Sequence, residues 1–145
     1  MQYLTYSEYL SMGGNLDSTA FTDIEYEARM KVDWYTFNRV KKDVQNNGAD
    51  IPDEVKECMY HLIRLVQKQM EASGTLGDGS SSGTYGAGIR AQSNDGVSIE
   101  FNTLTAYEAL NNAKEQITLA IKQGLNEVKD SLGHKLLYRG VYSDE

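Results

Sequence analysis

SGTLGDGSSSGTYGAG, residues 73–88, followed by IRAQSNDGVSIEFN, residues 89–102, is the stretch around which this chain is organised. The first part, Ser73–Gly88, holds six glycines and carries no helix or strand period. A ribbon of that composition is flexible, and ordering it costs backbone entropy. It is either a disordered loop or a segment that orders against a partner. In the second part Ile89, Ala91, Val97, Ile99 and Phe101 alternate with Arg90, Gln92, Ser98 and Glu100, the period of a half-buried strand. Asp95-Gly96 suggests a two-residue turn, which would pair Gln92 with Ile99 and mix the two faces. A three-residue loop, Asn94-Asp95-Gly96, instead pairs Ser93 with Val97, Ala91 with Ile99 and Ile89 with Phe101. All the apolar groups then share one face, and this register is preferred. A lone hairpin is marginal in water, so that face must dock on something.

Helical sequence lies on both sides. Thr5-x-x-Glu8 is a capping box, Leu4 can staple against Tyr9, and Gly13-Gly14 ends a short first helix. Asp17 caps a second helix with Leu16 stapling against Phe21, and Phe21, Ile24, Ala28, Val32 and Tyr35 share one face. Asn38 suits a left-handed stop. Arg39, Lys41 and Lys42 then read as a basic cluster at the negative end of the helix dipole, a solvated end in preference to a phosphate contact. Asp43–Asp50 reads as a polar loop. Pro52 opens a third helix, Pro52–Ala72, with Val55, Cys58, Met59, Leu62, Val66 and Met70 on one stripe widened by Ile63 and Leu65. So broad a stripe predicts a central helix contacted on more than one side.

Beyond the hairpin a fourth helix begins near Thr103–Thr105, where Thr105-x-x-Glu108 is another capping box. Tyr107, Leu110, Ala113, Ile117, Ala120 and Ile121 give its face. Gly124 ends or weakens it, and Leu125, Val128 and Leu132 continue the pattern as far as Gly133. The tail, His134–Glu145, is too apolar to be solvated and too short for its own core. It should pack on this body or on another protein. The expected fold is mainly α: one domain over residues 1–145, a bundle of about four helices, with a flexible arm and β-hairpin at 73–102 and an extended tail at 134–145.

The net charge of −7 and pI near 4.8 argue against gripping nucleic-acid phosphates, which needs a basic face. One cysteine, Cys58, excludes an internal disulfide and a multi-cysteine metal site. No leader or membrane span is visible, so the chain reads as soluble and intracellular. His61 and His134 are far apart, and no His-Glu-x-x-His occurs. The arm lacks the Gly-Lys-Ser/Thr of a phosphate loop. The run from Asp78 has Ile89 where a calcium loop needs glutamate. Glu25 and Glu27, two apart, point to different helix faces. The reading is therefore non-enzymatic, with no catalytic residue, cofactor or metal. Eight of the 14 aromatics fall in the first 37 residues, either as core or, for some of the tyrosines, facing a neighbouring subunit.

Taken together, Tyr3-Leu4-Thr5-Tyr6-x-Glu8-Tyr9 with Gly13-Gly14, Leu16-Asp17-x-x-Ala20-Phe21, Ala28-Arg29, Pro52-x-Glu54-Val55-Lys56 with Cys58-Met59, Ser93-Asn94-Asp95-Gly96-Val97-Ser98 and Leu136-Leu137-Tyr138-Arg139-Gly140-Val141 form an ordered set. That set resembles the head–tail connector (adaptor) proteins of tailed bacteriophages. The resemblance implies a small, mainly helical virion protein, made in the bacterial host cytoplasm. It would assemble in the neck as a ring of about twelve copies. Such a ring docks on the portal protein, extends the DNA channel and offers a surface to the stopper or tail-completion protein. It also implies that Ile89, Ala91, Val97, Ile99 and Phe101 meet a neighbouring subunit. Leu136, Leu137, Tyr138, Arg139, Val141 and Tyr142 would meet the portal or a neighbour. An acidic ring would let DNA pass without specific binding. The alternative reading is a small intracellular adaptor or regulatory module that binds one protein through the hairpin and tail.

Overall fold

Thr5 is extended, its hydroxyl accepts from the Glu8 amide at 3.3 Å, and the Glu8 carboxylate accepts from the Thr5 amide at 2.9 Å. This reciprocal box opens helix α1 (Tyr6–Ser11), as the sequence predicts. The computed structural model describes residues 1–72, 92–94, 97–99 and 106–142 of the chain. Asp17 accepts from the amides of Thr19 and Ala20 at 2.9 and 3.0 Å and starts helix α2 (Ser18–Tyr35). Of the expected inner stripe, Phe21, Ile24, Ala28 and Val32 are buried and Tyr35 is half-buried.

The first departure follows α2. Phe37 and Asn38 are both left-handed, at φ 54° and 59°. Asn38 is the expected stop, yet the helix that it precedes, α3 (Arg39–Asn47), occupies most of the segment expected to be a polar loop. Gly48 closes it at φ 64°. The basic cluster Arg39, Lys41 and Lys42 therefore begins a helix; it does not trail one. Arg39 is 4% exposed, so it is not a solvated end. Polar side chains hid α3: Val40 and Val44 are its only apolar residues in nine, and the buried Arg39 and Asp43 read as surface residues in the sequence. The described residues thus form five helices rather than about four.

Helix α4 (Asp53–Ala72) is central, packed on α2 and on α5 (Ala106–Leu125). Val55, Met59, Leu62, Ile63 and Val66 enter one core with Ile117, Ile121 and Leu125. Each such side chain contributes about 1.5–3 kcal/mol on leaving water. On the α4–α5 contact, a Cβ on Gly124 would sit 3.3 Å from the Cys58 sulfur. Burial pushes the Cys58 thiol up to about 12, so it behaves as a small apolar residue. The N-terminus straps across this body. Tyr3 and Leu4 are buried, the Tyr3 amide donates to Glu25 at 3.0 Å, and the Tyr3 hydroxyl donates to Asp33 at 2.5 Å. Burial and the Asp33 carboxylate hold that hydroxyl far above the ordinary tyrosine range. No described helix is long and apolar enough to cross a membrane.

Backbone pairing between β1 (Gln92–Asn94) and β2 (Val97–Ile99) sets Gln92 opposite Ile99 and Asn94 opposite Val97. That is the register of the two-residue turn, not of the preferred three-residue loop. An Asp-Gly step between two alternating runs favours a two-residue connection. The arm Ser73–Gly88 and the positions Ile89, Ala91 and Phe101 lie outside the described residues.

Helix α5 stops at Leu125 and does not run on towards Gly133. The Asp130 carboxylate accepts from the amides of Leu132 and His134 at 3.0 and 2.7 Å. A side chain that takes backbone donors in this way competes with the helix for them. The chain turns back instead, with the Leu136 amide donating to the Val128 carbonyl at 3.0 Å and Lys129 bridged to Lys135.

Candidate protein interface

The C-terminal tail is held by α3. The Arg39 guanidinium donates to the carbonyl oxygens of Leu136 at 3.3 Å, of Tyr138 and of Gly140 at 2.8 Å. It also lies over the Tyr142 ring, 5.3 Å from its centre. One planar fork thus grips three successive-but-one carbonyls, a geometry that an ammonium group cannot reproduce. Tyr142 stacks on His134 with ring centres 4.0 Å apart. A second fastening lies beside it: the Asp43 carboxylate accepts from the Ser131 amide at 2.8 Å, from the Ser131 hydroxyl and from Asn47 at 2.8 Å. Burial alone would raise the Asp43 carboxyl, but these hydrogen bonds, with His134 nearby, bring it below the ordinary aspartate value.

So fastened, the tail divides. Leu136 is 1% exposed and belongs to the core, and Leu137 and Tyr142 are half-buried. Tyr138, Arg139 and Val141 face outward, Val141 at 81%. Leu137 and Arg139 join Trp34, Phe37, Asn38 and Lys122 in lining a cleft of about 390 Å³ between the end of α2, α5 and the tail. Trp34, the only tryptophan, is 80% exposed. Tyr26 and Met30 are also exposed. Spaced at i, i+4 and i+8, Tyr26, Met30 and Trp34 form one stripe that ends at Phe37. Helix α2 is therefore apolar on two sides, and its outer side continues into the exposed part of the tail.

The site arises from steps of unequal legibility. The tail residues were expected to touch a partner. Trp34, Phe37 and Lys122 were not singled out, although the outer stripe of α2 is readable as a helical repeat. What the sequence does not announce is that Phe37 joins Asn38 in the left-handed region, which turns α3 so that Arg39 meets the tail. For a bulky residue such as phenylalanine that conformation costs of order 1–2 kcal/mol. The clustered N-terminal aromatics divide accordingly: Tyr3, Tyr9 and Phe21 fill the core, and Tyr26, Trp34 and Phe37 face solvent. His61 lies on the exposed side of α4. Among the described residues, no group of three or more His, Cys, Asp or Glu side chains is placed to hold a metal ion.

This geometry defines a mainly helical body with a tail fastened to it and an aromatic, basic-edged surface suited to protein contact. No family model matches the chain, and no curated protein or solved structure matches it either.

Proposed function

We propose that this chain is a head–tail connector subunit of a tailed bacteriophage. It would form a ring of about twelve copies in the virion neck, docked on the portal and presenting a surface to the stopper or tail-completion protein. The observation that carries the protein-binding part is the outward aromatic surface of Trp34 and Phe37, which shares one cleft with Leu137 and Arg139 of the tail, while Tyr138 and Val141 of the same tail are exposed. Contiguous exposed aromatic area of this kind marks association sites, and Trp, Tyr and Arg dominate their energetics. The neck assignment is supported by the motif resemblance. In this reading residues 1–145 act as one connector domain. Ser73–Gly88 reaches a neighbour or the next ring, and the hairpin face of Ile89, Ala91, Val97, Ile99 and Phe101 meets the adjacent subunit. Leu136 anchors the tail while Tyr138 and Val141 touch the portal and Arg139 meets a neighbouring subunit. An acidic ring repels phosphate, so DNA slides through.

Quantitative mass spectrometry of purified particles tests the assignment. About twelve copies per particle, counted against the major capsid protein, is the expected result, and absence from particles overturns it. Portal docking is tested with Val141→Glu and Tyr138→Ala rather than by deleting 134–145, because deletion would also remove Leu136 from the core. Docking of unchanged affinity in both variants would reassign the portal contact.

A further inference from the structure

The aromatic stripe of α2 has a counterpart on the far flank of α5. Lys122 lines the cleft beside Trp34, whereas Ala120, Gln123 and Gly124 line a second cleft of about 630 Å³ against α4. The α4 wall of that second cleft carries Glu54 and Glu57 at one end and Arg64 and Lys68 at the other, with His61 and Leu65 between. Those four charged side chains are exposed. Their spacing along the helix, at 1.5 Å per residue, separates the acidic from the basic pair by about 16 Å.

The outer side of α2 reads the same way. Asp23 and Glu27 are exposed at its acidic end, and Met30 and Trp34 follow. Lys122 and Arg139 then stand beside Trp34. From the acidic pair to Trp34 the rise is about 14 Å. Each of these two surfaces, one on α2 and one on α4, therefore runs from an acidic end towards a basic end. Laid antiparallel, each acidic end meets a basic end, and the apolar middle of α2 covers His61 and Leu65.

We infer that the outer face of α2 in one copy of this chain docks on the Glu54–Lys68 face of α4 in the next copy. The contact is heterologous, so repeating it generates a closed ring or an open filament, never a two-fold pair. It names the subunit contact of the ring proposed above and rests on that reading only for closure. Charge complementarity of this kind sets register and suppresses wrong pairings.

Because Trp34 is the only tryptophan, its emission reports the contact directly. For the wild-type chain, the mass from light scattering should rise with concentration while the emission moves to the blue. Lys122→Glu/Arg139→Glu should weaken association at least tenfold, and so should Glu54→Lys/Glu57→Lys. An equimolar mixture of the two variants should restore it, since each altered face then meets its complement. Circular dichroism confirms that both remain helical. The inference is overturned by any of three results: a wild-type mass and emission unchanged up to millimolar concentration, undiminished association of either variant alone, or a mixture no better than its components. Particles that lack the protein would remove the neck assignment and leave this contact standing. A neck ring indifferent to both reversals would do the opposite.

Discussion

The two sides of α2 carry side chains of similar kind to different ends. Phe21, Ile24, Ala28 and Val32 are buried against α4, while Tyr26, Met30 and Trp34 on the opposite side face solvent. The inner stripe is accounted for by folding. The outer stripe is not, since an exposed tryptophan stabilises nothing within its own chain. The comparison teaches that a helix with two apolar sides has to be read twice, once for the core that it joins and once for the surface that it leaves outside.

The largest expected effect separates those sides. Phe21→Ala removes a fully buried ring and should cost about 3–5 kcal/mol of unfolding free energy. Trp34→Ala should change stability by less than about 0.5 kcal/mol, because it lies on the surface. Urea denaturation of the two variants measures both. Equal losses would mean that Trp34 is a folding residue, and the distinction between the sides would collapse.

Next in size is the fastening that extends the outer surface into the tail. Arg39→Met keeps the bulk of the side chain but leaves the carbonyls of Leu136, Tyr138 and Gly140 without its donors. We expect a loss of about 2–3 kcal/mol and faster amide exchange through residues 134–142. Arg39→Lys should recover less than half of it, since an ammonium cannot span the three acceptors. Slow exchange persisting in Arg39→Met would show that Asp43 and Ser131 hold the tail alone.

A smaller effect tests the inner side where α1 meets the core. A Cβ on Gly14 would stand 2.2 Å from the Tyr9 ring, and Tyr9 is buried against Phe21 with ring centres 4.9 Å apart. Gly14→Ala should therefore cost about 1–3 kcal/mol, read as a lowered Tm. An unchanged Tm would mean that the ring can move away freely.

The smallest expected effect is electrostatic. The Lys56 ammonium 2.8 Å away, with the Thr5 hydrogen bonds, holds the Glu8 carboxyl down at about 2 against an ordinary 4.5. A depressed carboxyl contributes fully above pH 4.5, and the contribution is lost as pH falls towards 2. The pair is partly exposed, so about 0.2–1 kcal/mol is at stake. Glu8→Gln should flatten that part of the stability profile, and a wild-type curve already flat between pH 5 and 2 would remove the pair from the account.

Much of the helical framework is legible in residue order because its signals are local. A capping box needs four consecutive residues, and both Thr5-x-x-Glu8 and Asp17 act where they stand. The stripe of α4 repeats over five turns, long enough to outweigh any single residue. Its position at the centre follows from the width of that stripe. Helix α3 escapes because its stabilising contacts are polar and distant: Arg39 to residues 136–140, and Asp43 to Ser131. Sorting apolar groups onto one face predicts the pair Ala91 with Ile99, whereas Ile99 pairs with Gln92.

By itself the sequence determined a mainly helical chain, its Thr5 and Asp17 caps, the inner faces of α2, α4 and α5, and the apolar character of the tail. Each depends on neighbours within about one or two helical turns. Only the tertiary structure decided that the tail lies on its own body, that Arg39 is buried to hold it, and that Trp34, Lys122 and Arg139 share one cleft. Those outcomes join residues about a hundred positions apart. They depend on the Phe37-Asn38 turn, of which local propensity specifies only the Asn38 half, and which survives because the contacts that it permits outweigh the strain at Phe37.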